Sequence, residues 1–257
     1  MEANFSRRSQ QQEHLDKGDY TKEEFEQCLI ELQWVNRWLG DARTLRHTVL
    51  QQIRRRDKRH FYILDVGAGS GELLRVAAQW AARTQKTALL AGVELNPASA
   101  RAILKSSKLF PEIVAVRADA FRLPFADKQF DYTISSLFTH HFSDDLVVAL
   151  LKEMTRVTRW ELCVMDLHRH PIPYYFYITV GRVLLKNRLT REDGALSILR
   201  SFKPDELLAL ARRAGLQQAR LERHFPYRLA LRAPIEYRKN SETELPDEAG
   251  TSADKAA

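Results

Sequence analysis

Residues 61–74 read Phe61-Tyr62-Ile63-Leu64-Asp65-Val66-Gly67-Ala68-Gly69-Ser70-Gly71-Glu72-Leu73-Leu74. The run opens on four apolar or aromatic side chains, the pattern of a buried strand. It then meets an acid, Asp65, and glycines at alternate positions 67, 69 and 71. Glycine reaches left-handed backbone angles without steric cost and lets a ligand come close to its amides. A helix is predicted from near Glu72, through Leu73 to Ala82. The stretch therefore reads as strand, tight ligand-facing turn, helix.

The spacing of the glycines separates one nucleotide ligand from another. A dinucleotide fingerprint needs G-x-G-x-x-G, with helix amides facing a pyrophosphate. Here the third glycine's place is taken by Glu72, whose carboxylate would repel a pyrophosphate. Asp65, at the end of the strand, suits a cationic ligand instead. Two more acids follow in order. Glu94 closes a second apolar strand over 89–95 and is followed by Asn96-Pro97 and a helix over 98–109. Asp119 follows a third strand, predicted over 113–118, and precedes Ala120-Phe121. An acid ending the second strand can accept hydrogen bonds from ribose hydroxyls.

Asp65-x-Gly67-x-Gly69-x-Gly71, with Glu94 and Asp119 behind it, resembles the class I S-adenosylmethionine (SAM) methyltransferases. The likeness runs from about Phe61 to Leu231 and is strongest through His141. It implies an α/β, Rossmann-like fold: a mainly parallel seven-stranded sheet with helices on both faces, an N-terminal helical cap and a lid inserted after strand five. It implies SAM as cofactor, with Asp65 and the turn residues Gly67, Ala68, Gly69 and Gly71 at the methionine end. Glu94 then serves the ribose and Asp119 the adenine, with Leu95, Ala120 and Ser136 beside them. No metal is implied. Cys28 and Cys163 lie far apart without metal spacing, which also argues against a disulfide framework.

The chain of 257 residues is long enough for one substantial core. Its net charge is +7, and the last 22 residues hold six acids and three bases, which leaves about +10 on the rest. Disorder is expected in that tail, 236–257, and in residues 1–17, where apolar side chains are few. A helical cap is expected over 18–60. Thr21-x-x-Glu24 forms a capping box, Gly40 ends the first helix, and Leu45, Val49 and Ile53 mark a second. Trp34, Asn36, Arg37 and Trp38 read either as cofactor or substrate contacts or as packing. The methyltransferase domain is expected over 61–235. The basic cluster Arg54–His60 precedes the first strand, at the end away from the ligand turns, and reads first as a solvated helix end.

The fourth strand, predicted over 130–137, runs into Phe138-Thr139-His140-His141-Phe142. Ligands gather at the carboxyl ends of parallel strands, so His140 and His141 are the candidate catalytic pair. A histidine near neutrality can take a proton from a phenol or enol as it is methylated. His140 is favoured, and the two side chains are expected to point in different directions. A helix over 146–157 and a fifth strand over 161–167 follow, and the chain closes with a helix from Pro204 and an antiparallel pair over 217–224 and 226–231.

Between them lies a segment, about 168–200, that is aromatic, then aliphatic, then basic. It reads as a hydrophobic lid that selects an apolar, aromatic acceptor and touches a membrane interface through 171–191, or as an insertion packed on the N-terminal helices. The motifs most resemble bacterial enzymes acting on quinone precursors, polyketides or lipid-like phenolics. An Asn-Pro-Pro-Tyr motif, common in base-methylating enzymes, is absent after strand four, so nucleic acid is not the expected substrate. RNA methylation and a noncatalytic SAM-binding scaffold for a partner enzyme are the alternatives. The N-terminus lacks a signal-peptide core and no apolar run reaches about 18 residues, so the expected location is cytoplasmic, with peripheral membrane contact.

Overall fold

In the computed structural model, residues 3–38 and 40–235 are described; the side chains of 33–38 and of 182 are not. The readings of Trp34, Asn36, Arg37 and Trp38 as site contacts, and of 236–257 as disordered, therefore lie outside the described residues. The N-terminal part holds α1 (His14–Lys17), α2 (Lys22–Trp38), α3 (Asp41–His47) and α4 (Val49–Arg55). The capping box forms: Glu24 donates its amide to Thr21 Oγ1 at 3.1 Å, and the Thr21 amide donates to Glu24 Oε2 at 3.0 Å. The second predicted helix is two helices, because the backbone at Thr48 leaves helical angles (φ −103°, ψ −93°).

The sheet then alternates with helices: β1 (His60–Val66), α5 (Glu72–Arg83), β2 (Thr87–Glu94), α6 (Pro97–Ser106), β3 (Ile113–Arg117), β4 (Phe130–Ser136), α7 (Asp144–Val157) and β5 (Thr158–Leu167). After β5 come α8 (Pro171–Phe176), a π-type turn over 177–181, α9 (Arg182–Leu184), α10 (Arg188–Arg200) and α11 (Pro204–Arg213). The chain ends in β6 (Arg220–His224) and β7 (Arg228–Pro234). Strand order is β3-β2-β1-β4-β5-β7-β6. The first five strands pair in parallel, and β7 enters antiparallel between β5 and β6.

Side chains along each strand alternate between two cores. Leu64 and Val66 of β1 join Val147, Leu151 and Met154 of α7 and Leu207 and Leu210 of α11. Phe61 and Ile63 join Leu74, Ala77 and Ala81 of α5 and Leu45, Val49 and Ile53 of the cap. The cap is thus structural over α3 and α4. It is pinned by a buried pair, Arg228 Nε to Asp41 Oδ1 at 2.7 Å. Gly40, at φ +90°, lets that corner approach: a Cβ there would lie 2.8 Å from the Phe225 carbonyl oxygen.

Disorder across 1–17 is not what the described part of that segment shows. Residues 3–17 lie across the carboxyl edge of the sheet. Arg8 stacks on Phe202 at 4.1 Å and donates to the carbonyls of His140 and Phe142. Asp193 of α10 accepts from the amides of His14 and Leu15. Apolar content alone underrates this segment, because long-range polar contacts hold it.

Candidate functional site

Strand order reverses between β1 and β4, so a crevice opens where their carboxyl ends diverge. Asp65, next to last in β1, and Ser136, last in β4, line a cavity of about 500 Å³ together with Gly67, Ala68 and Gly69. Asp65 is buried, and its Oδ1 has no hydrogen-bond partner among the described residues; neither has Ser136 Oγ. Burial, reinforced by the negative charge of Glu94, pushes the Asp65 carboxyl up to about 8. A cationic group at this oxygen would remove that penalty. Gly69, at φ +58°, has nothing within 4 Å of where a Cβ would stand, whereas Gly67 is packed under the Phe138 ring. The turn is therefore closed behind and open in front. Residues present fit the methionine end of SAM.

Glu94 accepts the Gly69 amide at 2.5 Å. Burial raises its carboxyl to about 7, against the lowering effect of that bond. Leu95 and Asp119 sit further along the same edge and are exposed, and Ala120 is buried. The Asp119 carboxylate accepts the Phe121 amide at 2.9 Å. Leu95, Asp119 and Ala120 do not line the 500 Å³ cavity, and neither do Glu94 and Gly71. Gly71, at φ +76°, opens α5 and packs on Ile103.

The loop after β4 folds into a 3₁₀ turn, Thr139–His141. His140 is buried, and its Nδ1 lies 2.7 Å from Asp166 Oδ1 on β5. Asp166 also accepts the His140 amide at 3.1 Å, the Leu167 amide at 2.8 Å and the Thr139 hydroxyl. Burial would raise Asp166, but the His140 charge and these bonds outweigh it and hold the carboxyl at about 2. An ionised Asp166 must accept, so Nδ1 carries the proton and Nε2 is the free acceptor of a ring that lines the cavity.

The expectation that the two histidines diverge does not hold. Their rings lie 4.4 Å apart and tilted by 30°, and both line the cavity. Adjacent residues in a strand point apart, but a 3₁₀ turn sets no such alternation. The structure adds residues not singled out from the sequence. Glu13 Oε1 is 3.7 Å from His140 Nε2, its Oε2 is 3.8 Å from His141 Nδ1, and Asp16 Oδ1 is 3.0 Å from the same Nδ1. Arg200 of α10 binds Asp16 at 2.9 Å and the His141 carbonyl at 2.5 Å. Burial raises the Glu13 carboxyl to about 7, against His141 and Arg200. One donor atom each from Glu13, His140 and His141 lie within 4.8 Å of one another.

Much of the remaining wall is apolar, with Leu15, Leu29 and Leu32 from the N-terminal part, Ile172 and Phe176 from the segment after β5, and Phe225 from the β6–β7 turn; His168, Tyr177, Thr190, Asp193, Ser197 and the Asp41–Arg228 pair add polar groups to it. Cys28 also lines it, and burial raises its thiol to about 11. Cys163 lies in the core. The basic cluster 54–60 ends α4 and opens β1, at the amino edge opposite the cavity.

Comparisons with known proteins agree with this geometry. Residues 63–161 match a family model described as a methyltransferase domain. A demethylmenaquinone methyltransferase of Roseiflexus sp. (strain RS-1) is 31% identical over 163 residues, which cover 59% of this chain and 66% of that protein. Among solved structures, a SAM-dependent methyltransferase from Aquifex aeolicus superposes with a TM-score of 0.55 at 13% identity, over 79% of this chain and 98% of the other. Magnesium protoporphyrin IX methyltransferase from Synechocystis PCC 6803, solved with bound SAH, gives 0.54 at 14% identity, over 77% and 84%. At such identities these two speak for the fold alone. Glycine turn, sheet order and matched domain together make this chain a member of the class I SAM-dependent methyltransferases, with SAM as its cofactor.

Proposed function

We propose that the chain transfers the methyl group of SAM to a hydrophobic, aromatic small molecule of the quinone-precursor, polyketide or lipid-like phenolic kind. One observation carries the reading: a cavity of about 500 Å³ joins the glycine turn, His140 (held by Asp166 behind it) and a largely apolar wall. The curated relative that acts on a demethylmenaquinone supports the same acceptor class.

Bound SAM supplies a methyl already activated by its sulfonium. Asp65 and the glycine-turn amides hold the methionine end, Glu94 the ribose and Asp119 the adenine. Leu29, Leu32 and Phe176 hold an aromatic acceptor by burying its ring and keep water away. His140 acts on the acceptor's hydroxyl. The hydroxyl proton passes to Nε2 as the oxygen takes the methyl, and Asp166 compensates the charge on the imidazolium. Asp166 is a positioning residue, fixing the tautomer and ring angle. His141, paired with Asp16, closes the floor of the site.

The test is incubation of purified protein with methyl-labelled SAM and three acceptors: alkylated hydroquinones, alkylated phenols and RNA, with products identified by mass spectrometry. Label in the aromatic products supports the reading. Label in RNA alone, lost at raised salt, points to an RNA enzyme. SAM binding without turnover on any acceptor points to a scaffold.

A further inference from the structure

The helical run 171–184 is built inside out. Tyr177 faces inward, its hydroxyl on the Thr190 carbonyl at 2.5 Å. The outward positions Ile172, Tyr175, Phe176, Thr179 and Val183 recur at helical spacing, and four of the five are large and apolar. Phe176 is 62% exposed, Val183 82%, Leu184 57% and, on the neighbouring β6–β7 turn, Phe225 76%. Water-facing helix surfaces are normally polar, so a ridge of this kind marks a contact surface. It is also the rim of the cavity: Ile172, Phe176 and Phe225 line the interior as well as the outside.

Charge says what the ridge meets. From Leu167 to Arg191 the chain has no acidic residue, and Lys186 and Arg191 are exposed beside the helix, as is Arg223 beside Phe225. An apolar ridge flanked by cations suits an anionic lipid surface: side chains enter the acyl boundary while the bases meet phosphates. Among the described residues no helix is long and apolar enough to cross a membrane, so the contact lies at the surface. We infer that the 171–184 helix and the Phe225 turn dock the protein on an anionic lipid bilayer, with the cavity mouth facing the acyl chains, so that a lipid-tailed acceptor enters directly from the membrane. The inference rests on the proposed apolar acceptor for its purpose but not for its test.

The test is flotation of the full chain with vesicles of phosphatidylcholine, with and without phosphatidylglycerol. Val183→Asp and Leu184→Ser serve as variants, since neither residue lines the cavity. Wild type should float with phosphatidylglycerol vesicles, weakly with phosphatidylcholine alone, and less at raised salt. Each of Lys186→Gln and Arg191→Gln should weaken binding by about fivefold. Val183→Asp with Leu184→Ser should abolish flotation while methylation of a short, soluble acceptor stays at the wild-type rate. Wild type that does not float, or a double variant that floats equally well, overturns the inference. So does gel filtration showing a dimer that the double variant dissolves, since the ridge would then be a self-contact. Flotation without methylation of any acceptor would instead overturn the proposed function and leave the docking surface standing.

Discussion

His140 on the turn after β4 and Asp166 on β5 share a 2.7 Å hydrogen bond, and neither is exposed by more than 3%. They are 26 residues apart in the chain and meet because β4 and β5 are parallel neighbours, Ser136 pairing with Met165. The same carboxylate holds the backbone of the turn as well as the ring. Orientation of the imidazole is thus set by the sheet itself.

His140→Ala should therefore lower kcat by about 10²–10⁴ with SAM affinity nearly unchanged. Asp166→Asn should lower kcat with little change in KM for the acceptor, by turning the ring to the wrong tautomer. If His140→Gln keeps most activity and the pH–rate profile is unaltered, the histidine only shapes the pocket. Should His141→Ala lose chemistry while His140→Ala stays active, the roles of the pair are exchanged.

Asp65 gives a prediction about protons. Its carboxyl sits at about 8 without a ligand, raised by burial and by Glu94. A cation brought to its free oxygen favours the ionised form, so SAM binding below pH 8 should release a proton. Affinity should rise with pH by at most about tenfold per unit and level off above the carboxyl's value. Calorimetry in two buffers of different ionisation enthalpy measures the release, and Asp65→Asn should remove its share, leaving only what Glu94 releases, while weakening binding. The sign for folding runs the opposite way. The ligand-free protein keeps the proton that the unfolded chain loses near pH 4, so this residue lowers stability as pH climbs from about 4 to 8.

Cofactor choice can be checked on the same instrument. SAM and its demethylated product should bind and NAD should not, because Glu72 stands where a pyrophosphate would need glycine. Gly69→Val should abolish SAM binding: its backbone is at φ +58°, and a side chain there would fill the open space proposed for the cofactor. Glu94→Ala should weaken binding by roughly 1–3 kcal/mol, the range for a lost charged hydrogen-bond partner. Heat from NAD with none from either sulfur nucleoside would reverse the assignment.

The fold was legible because its markers are local. A glycine turn after an apolar run fixes where β1 ends, and strand ends carrying Glu94 and Asp119 then follow in sequence order. Asp166 was visible as the end of a strand, but its role depends on β5 lying beside β4, which no short stretch records. Glu13 and Asp16 were illegible for a different reason. Their segment has few apolar residues, and what holds it is Arg8 on Phe202, Asp193 on two amides and Arg200 on Asp16. Contacts between residues nearly two hundred positions apart leave no periodicity to read.

That N-terminal segment supplies the last prediction. Glu13, His140 and His141 form a nitrogen–oxygen donor set suited to a borderline metal such as Zn²⁺. If His140 Nε2 is the group that takes the acceptor's proton, a metal seated there competes with the reaction. Added Zn²⁺ should then inhibit, competitively with the acceptor and not with SAM, and a chelator should restore the rate in full. Glu13→Gln should relieve the inhibition by removing the one carboxylate that bridges both rings, while retaining most of the metal-free rate. If instead a chelator abolishes turnover and Zn²⁺ or another divalent ion restores it, the three side chains hold a working metal and His140 is a ligand, not a base.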